Sequence, residues 1–127
     1  MNYGSSAYGS VALGGLQTSG YLFFSPTELV LAGTYSRSIE YPGSAEFFEV
    51  RTVITGGLEE DADARTMRIY SHNDPGETPQ LQVTVGLEAF YTQSIIGAAR
   101  FIIVEVEMPT NAPGIPTILI TGNEYFQ

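Results

Sequence analysis

Gln80-Leu81-Gln82-Val83-Thr84-Val85-Gly86-Leu87 is the stretch whose reading decides the fold. Leu81, Val83, Val85 and Leu87 alternate with Gln80, Gln82 and Thr84, the period of two that a strand with one buried face imposes. The same period recurs on both sides. Residues 101–108 place Ile102, Val104, Val106 and Met108 inward with Glu105 and Glu107 outward. In residues 46–55, Phe48, Val50, Thr52 and Ile54 share one face, and Phe47, Glu49, Arg51 and Val53 the other. Residues 65–71 turn Met67 and Ile69 inward, and residues 116–121 bring Ile118 and Ile120 together.

The remaining segments are shorter. Residues 21–24 and 28–35 read as two β segments split by Ser25-Pro26-Thr27, and Tyr41-Pro42-Gly43-Ser44 has a turn signature. Residues 72–79 form a polar loop with two prolines and a glycine. Residues 88–99 are two-sided: Ala89, Gln93, Ile96 and Arg100 fit a helix, whereas Phe90, Tyr91, Thr92 and the paired isoleucines favour a strand. A strand over 89–95 is the preferred reading. The pattern predicts an all-β chain: a single antiparallel β-sandwich or jelly roll of about eight short strands, with a closed barrel as second choice.

Composition narrows the function classes. The 127 residues suffice for one domain. The formal charge is −9, from fourteen acids against five bases, all arginine: Arg37, Arg51, Arg65, Arg68 and Arg100. Scattered arginines on an acidic chain offer no stripe to neutralise phosphates, so no nucleic-acid partner is expected. Without cysteine there is no disulfide, thiolate metal site or thiol nucleophile. Without lysine there is no Schiff base, P-loop lysine or Lys–Asn isopeptide bond. The opening methionine and the lack of a basic-then-apolar leader suggest cytoplasmic synthesis. No apolar run approaches the ~20 residues of a membrane helix, and no membrane association is expected.

The first residues follow another rule. Tyr3-Gly4-Ser5, Tyr8-Gly9-Ser10 and Leu13-Gly14-Gly15 recur at a spacing of five, which matches neither strand nor helix. Such a stretch buries no continuous face of its own, so residues 1–20 are expected to be an extended arm and 21–127 the sandwich domain. Glu28 is the only charged residue before Arg37. A solubilising tail would more typically carry charge, so docking on a neighbour is preferred over a disordered tail. Ser10-Val11-Ala12-Leu13 is β-competent and suited to adding to an exposed sheet edge, which makes Tyr3, Tyr8, Val11 and Leu13 the expected partner-binding residues.

Other sites are weaker. Glu59, Asp61 and Asp63 alternate in the one dense acid cluster and are the candidate ligands for a hard cation such as calcium. An EF-hand loop is not matched, since Ala64 stands where the turn glycine belongs and Tyr70 where the closing glutamate belongs. A solvated acidic loop is the favoured reading. His72, the only histidine, precedes Asp74 in a Pro/Gly loop, and no Gly-X-Ser-X-Gly elbow supports a triad. No catalytic residue and no cofactor are expected. Tyr35, Tyr41 and Tyr70 are the rings that would stack on a sugar, so carbohydrate is a possible partner and a carbohydrate- or calcium-dependent binding module the alternative function.

The Tyr-Gly-Ser opening over the first fifteen residues resembles the starts of some tailed-phage virion proteins, in which a Gly/Tyr-rich leader precedes β-rich domains. The resemblance implies a virion structural role, as a head decoration protein or tail component. The resulting expectation is a non-enzymatic structural protein of a bacteriophage particle, forming a homo-oligomer or binding lattice proteins, with its arm locking neighbours together.

Overall fold

A computed structural model describes residues 20–41, 45–56, 65–87, 90–109 and 117–125. They form eight strands: β1 (Gly20–Phe24), β2 (Gly33–Glu40), β3 (Phe47–Thr55), β4 (Thr66–His72), β5 (Gln80–Gly86), β6 (Tyr91–Gly97), β7 (Phe101–Met108) and β8 (Thr117–Tyr125). Among the described residues there is no helix, which is the all-β reading of the sequence.

Two four-stranded sheets result, ordered β1-β8-β3-β6 and β2-β7-β4-β5, with every pairing antiparallel. The first strand pairs with the last, the second with the seventh, the third with the sixth and the fourth with the fifth. A single long antiparallel ribbon, folded over onto itself, gives that nesting. It is the jelly-roll form of the β-sandwich.

Alternation explains how the sheets meet. Phe48, Val50, Thr52 and Ile54 of β3 are buried, as are Met67 and Ile69 of β4, Ile102, Val104, Val106 and Met108 of β7, and Ile118 and Ile120 of β8. The Thr52 hydroxyl donates to Met67 Sδ at 3.6 Å, tying the inner faces of the two sheets. At one end an aromatic group closes the core. Phe48 packs on Tyr41 (ring centroids 5.0 Å apart) and Tyr21 (5.6 Å), and meets Phe23 edge-on at 6.4 Å. Room for it comes from Gly122 on β8: a Cβ there would stand 2.6 Å from the Phe48 ring and 2.8 Å from Phe23. Burial pushes the pKa of the Tyr41 hydroxyl up, and the charge of Glu124 adds to the effect.

Two readings are corrected, and a third is kept with shifted bounds. Leu81 does not join Val83 and Val85 but points outward, 53% exposed. The register with β4 slips between Ile69 and Tyr70, so that Val83 pairs with Ile69 and Leu81 with Tyr70; skipping Gln82 sends Leu81 to the other face. The second β segment is not residues 28–35. Glu28 closes a turn, accepting from Ser25 N at 3.1 Å and Ser25 Oγ at 2.8 Å, and β2 starts later at Gly33, where φ is 143°. Residues 91–97 are a strand, so the β-branched and aromatic side chains prevail over the helical spacing, and the strand lies two residues beyond the expected 89–95.

Arg65 continues the inward parity of Met67 and Ile69 and is buried, with no hydrogen-bond partner for Nε or Nη2 among the described residues.

Gly122→Ala should destabilise the fold by about 1–3 kcal/mol, the cost of overpacking a filled core, read as a shift in the urea midpoint at unchanged slope. The Glu28 carboxyl lies below the usual range, first through the Ser25 amide and hydroxyl and then through Arg37. A lowered pKa gives stability that is present above the unfolded value and lost as pH falls through the folded one. The melting temperature of Glu28→Gln should therefore lie below that of the parent near neutrality, and the gap should close as the pH falls through and below the ordinary carboxylate range.

Candidate assembly surface

The expected arm residues Tyr3, Tyr8, Val11 and Leu13 lie outside the described residues, as do the acidic residues Glu59, Asp61 and Asp63. Among the described residues no three His, Asp or Glu side chains come together to hold a metal ion. His72 stacks on Phe101 (ring centroids 4.7 Å apart), and its Nδ1 lies 2.8 Å from the backbone carbonyl of Asp74, not its carboxylate. The loop after it is held by Glu77, which accepts from the amides of Asn73 and Asp74. The three tyrosines proposed for sugar stacking are not brought together. Tyr41 is in the core, Tyr35 shares the inner parity of β2 and donates to Leu31 O at 2.8 Å, and Tyr70 lies on the outer face beside Glu105.

The outer surface of the sandwich is more informative. An antiparallel sandwich has four edges, and each is a row of backbone donors and acceptors able to pair with another chain. β1 is short and its register slips between Leu22 and Phe24. β2 pairs along β7 without interruption but carries Arg37 and Glu40. β5 is interrupted by its bulge. β6 has none of these protections. Its register with β3 is continuous from Phe47↔Gly97 to Val53↔Tyr91, and its sequence Tyr-Thr-Gln-Ser-Ile-Ile-Gly holds no charge and no proline.

Hydrogen-bond alternation shows which β6 groups are free. Ile54 N donates to Phe90 O and Ala98 N donates to Glu46 O, so the even-numbered residues of this strand face β3. The N–H and C=O groups of Tyr91, Gln93, Ile95 and Gly97 therefore point away from the sheet. The side chains of Tyr91, Gln93 and Ile95 lie on its outer face, where Tyr91 is 51% and Ile95 41% exposed, next to exposed Val53. Large exposed side chains thus flank an open edge.

The charge on this face is internally matched. Glu49 of β3 is only 4% exposed although its parity is outward. Arg51 Nη2 donates to both of its carboxylate oxygens, at 3.1 and 3.0 Å, and Gln93 Nε2 of β6 donates to one of them. The same carboxylate holds Arg51 more firmly protonated than usual, and the guanidinium lies over the Tyr91 ring at 5.8 Å. Glu49 thus fastens β6 to β3 and leaves the patch without net charge. The outer face of the other sheet differs, with Glu105 and Glu107 around Arg68 and Glu40 paired with Arg100. Copies of a chain with net charge −9 repel one another, so a contact between copies is favoured where charge is absent.

Sequence reading placed Glu49 outward but gave no sign of its burial. The signal present in the sequence is the lack of charge along residues 89–99.

Glu49→Ala should cost about 0.5–1.5 kcal/mol by removing the acceptor that links Gln93 of β6 to β3, since Arg51 and Gln93 are exposed enough to turn to water, measured by urea unfolding. Comparison with known protein families, curated proteins and solved structures gave no match.

Proposed function

We propose that this chain is a non-enzymatic structural subunit of a multi-copy assembly, a viral particle, in which copies pack through the β6 side of the sandwich and an N-terminal arm reaches across the contact. The observation that carries the proposal is the unprotected β6 edge with its exposed flank of Tyr91, Ile95 and Val53 on a strongly acidic chain. An edge this regular, uncharged and apolar is an aggregation liability for a free monomer and an asset for a subunit whose neighbours cover it.

Two further points support the virion reading. The nested eight-strand sandwich is an architecture that viral capsid domains use, alongside lectins and cupins, a fold-level analogy only. The Gly/Tyr-rich opening resembles tailed-phage structural proteins, which favours a decoration or tail component located in the virion. Catalysis has no support among the described residues: the one histidine is committed to Phe101 and a backbone carbonyl, and the ion pairs join strands, brace a turn or lie along β3.

The test is solution mass by light scattering over a wide concentration range, for the parent and for Ile95→Lys. The parent should form a discrete oligomer or grow with concentration. A lysine on the free edge should weaken association by at least about tenfold while leaving the melting temperature nearly unchanged, because Ile95 is outside the core. A parent that is monomeric throughout, or a variant that associates as well as the parent, overturns the proposal.

A further inference from the structure

Resting on that reading, we infer that the occupant of the free β6 edge is Ser10-Val11-Ala12-Leu13 from a second copy of this chain, added as a fifth strand to the β1-β8-β3-β6 sheet. The open groups of Tyr91, Gln93, Ile95 and Gly97 would then pair with the arm backbone, and Val11 and Leu13, on a common face, would extend the exposed row of Tyr91 and Ile95.

Three observations select this occupant. The first is charge: neither residues 1–19 nor β6 carries any, so neither partner buries an unpaired ion. The second is position. Residues 1–19 join the sheet at Gly20 on β1, and β1 and β6 are its two opposite edges. Gly20 pairs with Asn123, which lies in line with Glu49 and Ile95, so the arm enters level with the middle of the β6 edge. The third is reach. Residues 14–19 span at most about 20 Å when extended, enough to cross from β1 to the β6 edge of a copy placed beside it.

Docking on the chain's own β6 is disfavoured. Residues 14–19 would have to run across the outer face over Arg51 and Gln93, covering an exposed guanidinium with uncharged chain. A contact from the β1 edge of one copy to the β6 edge of the next is head-to-tail. Such contacts close into a ring or propagate into a lattice, in contrast to a two-fold dimer.

The absence of native cysteine makes the pairing directly testable in the full chain. Val11→Cys is mixed with Tyr91→Cys or with Ile95→Cys, under mild oxidation, with Ser36→Cys on the β2 edge as the control. Products are read by non-reducing electrophoresis and light scattering. Val11→Cys should form a mixed disulfide with at least one β6 variant, at about tenfold the yield of the control, since docking raises the local thiol concentration. Equal yields with the control overturn the proposal. So does a disulfide that forms only within one chain of the Val11→Cys/Ile95→Cys double variant. Cross-links only between two copies of Ile95→Cys would mean a two-fold β6 contact instead. Assembly that persists without any Val11 cross-link overturns the arm pairing alone, and a monomer overturns it together with the reading on which it rests.

Discussion

Everything in this molecule depends on two sheets covering each other. With no helix among the described residues and no cysteine, the inner faces of the two sheets are shielded only by one another. Strict alternation in β3, β4, β7 and β8 is the result, because a slip of one residue would expose an entire buried row. The Phe48 ring seated against Gly122 expresses the same requirement at one point. A large side chain on β3 fits only because its neighbour on β8 has no side chain, and this fixes where the two strands lie side by side.

The same requirement governs the outside. The faces turned away from the core are free to vary, and here they differ sharply. One carries Glu105, Glu107 and Arg68. On the other, among the described residues, Glu49 is held inside a closed set of contacts with Arg51 and Gln93, beside exposed Tyr91, Ile95 and Val53. The edges differ too, three being short, charged or bulged and one plain. A polar exterior is the ordinary outcome for a subunit that stays alone, and this less polar face is the one on which the proposed contact rests.

Most of the sandwich was legible in the sequence, and the reasons are specific. The inward sets of β3, β4, β7 and β8 are strictly periodic, and periodicity is a property of sequence. Leu81 was misplaced because a β-bulge depends on the partner strand, and nothing in Gln80–Gly86 announces a slip opposite Tyr70. The start of β2 was misplaced because Glu28, a plausible strand residue, is taken by a hydrogen bond to Ser25 that becomes visible only when the turn is formed. The open edge was not legible either: which strand ends a sheet is a matter of topology, and the β6 sequence would serve as well in the middle of one.

The nested pairing also dictates an order of events. β4 and β5 are joined by the short 73–79 loop and can zip as a local hairpin, whereas β1 must find β8 from the other end of the described chain. Each pair closes around the one inside it, so β1 is the strand most easily left waiting until β8 has been synthesised. A nascent chain therefore cannot complete the β1-β8-β3-β6 sheet until β8 has been synthesised, and the edge strand β1 is the last to find its partner.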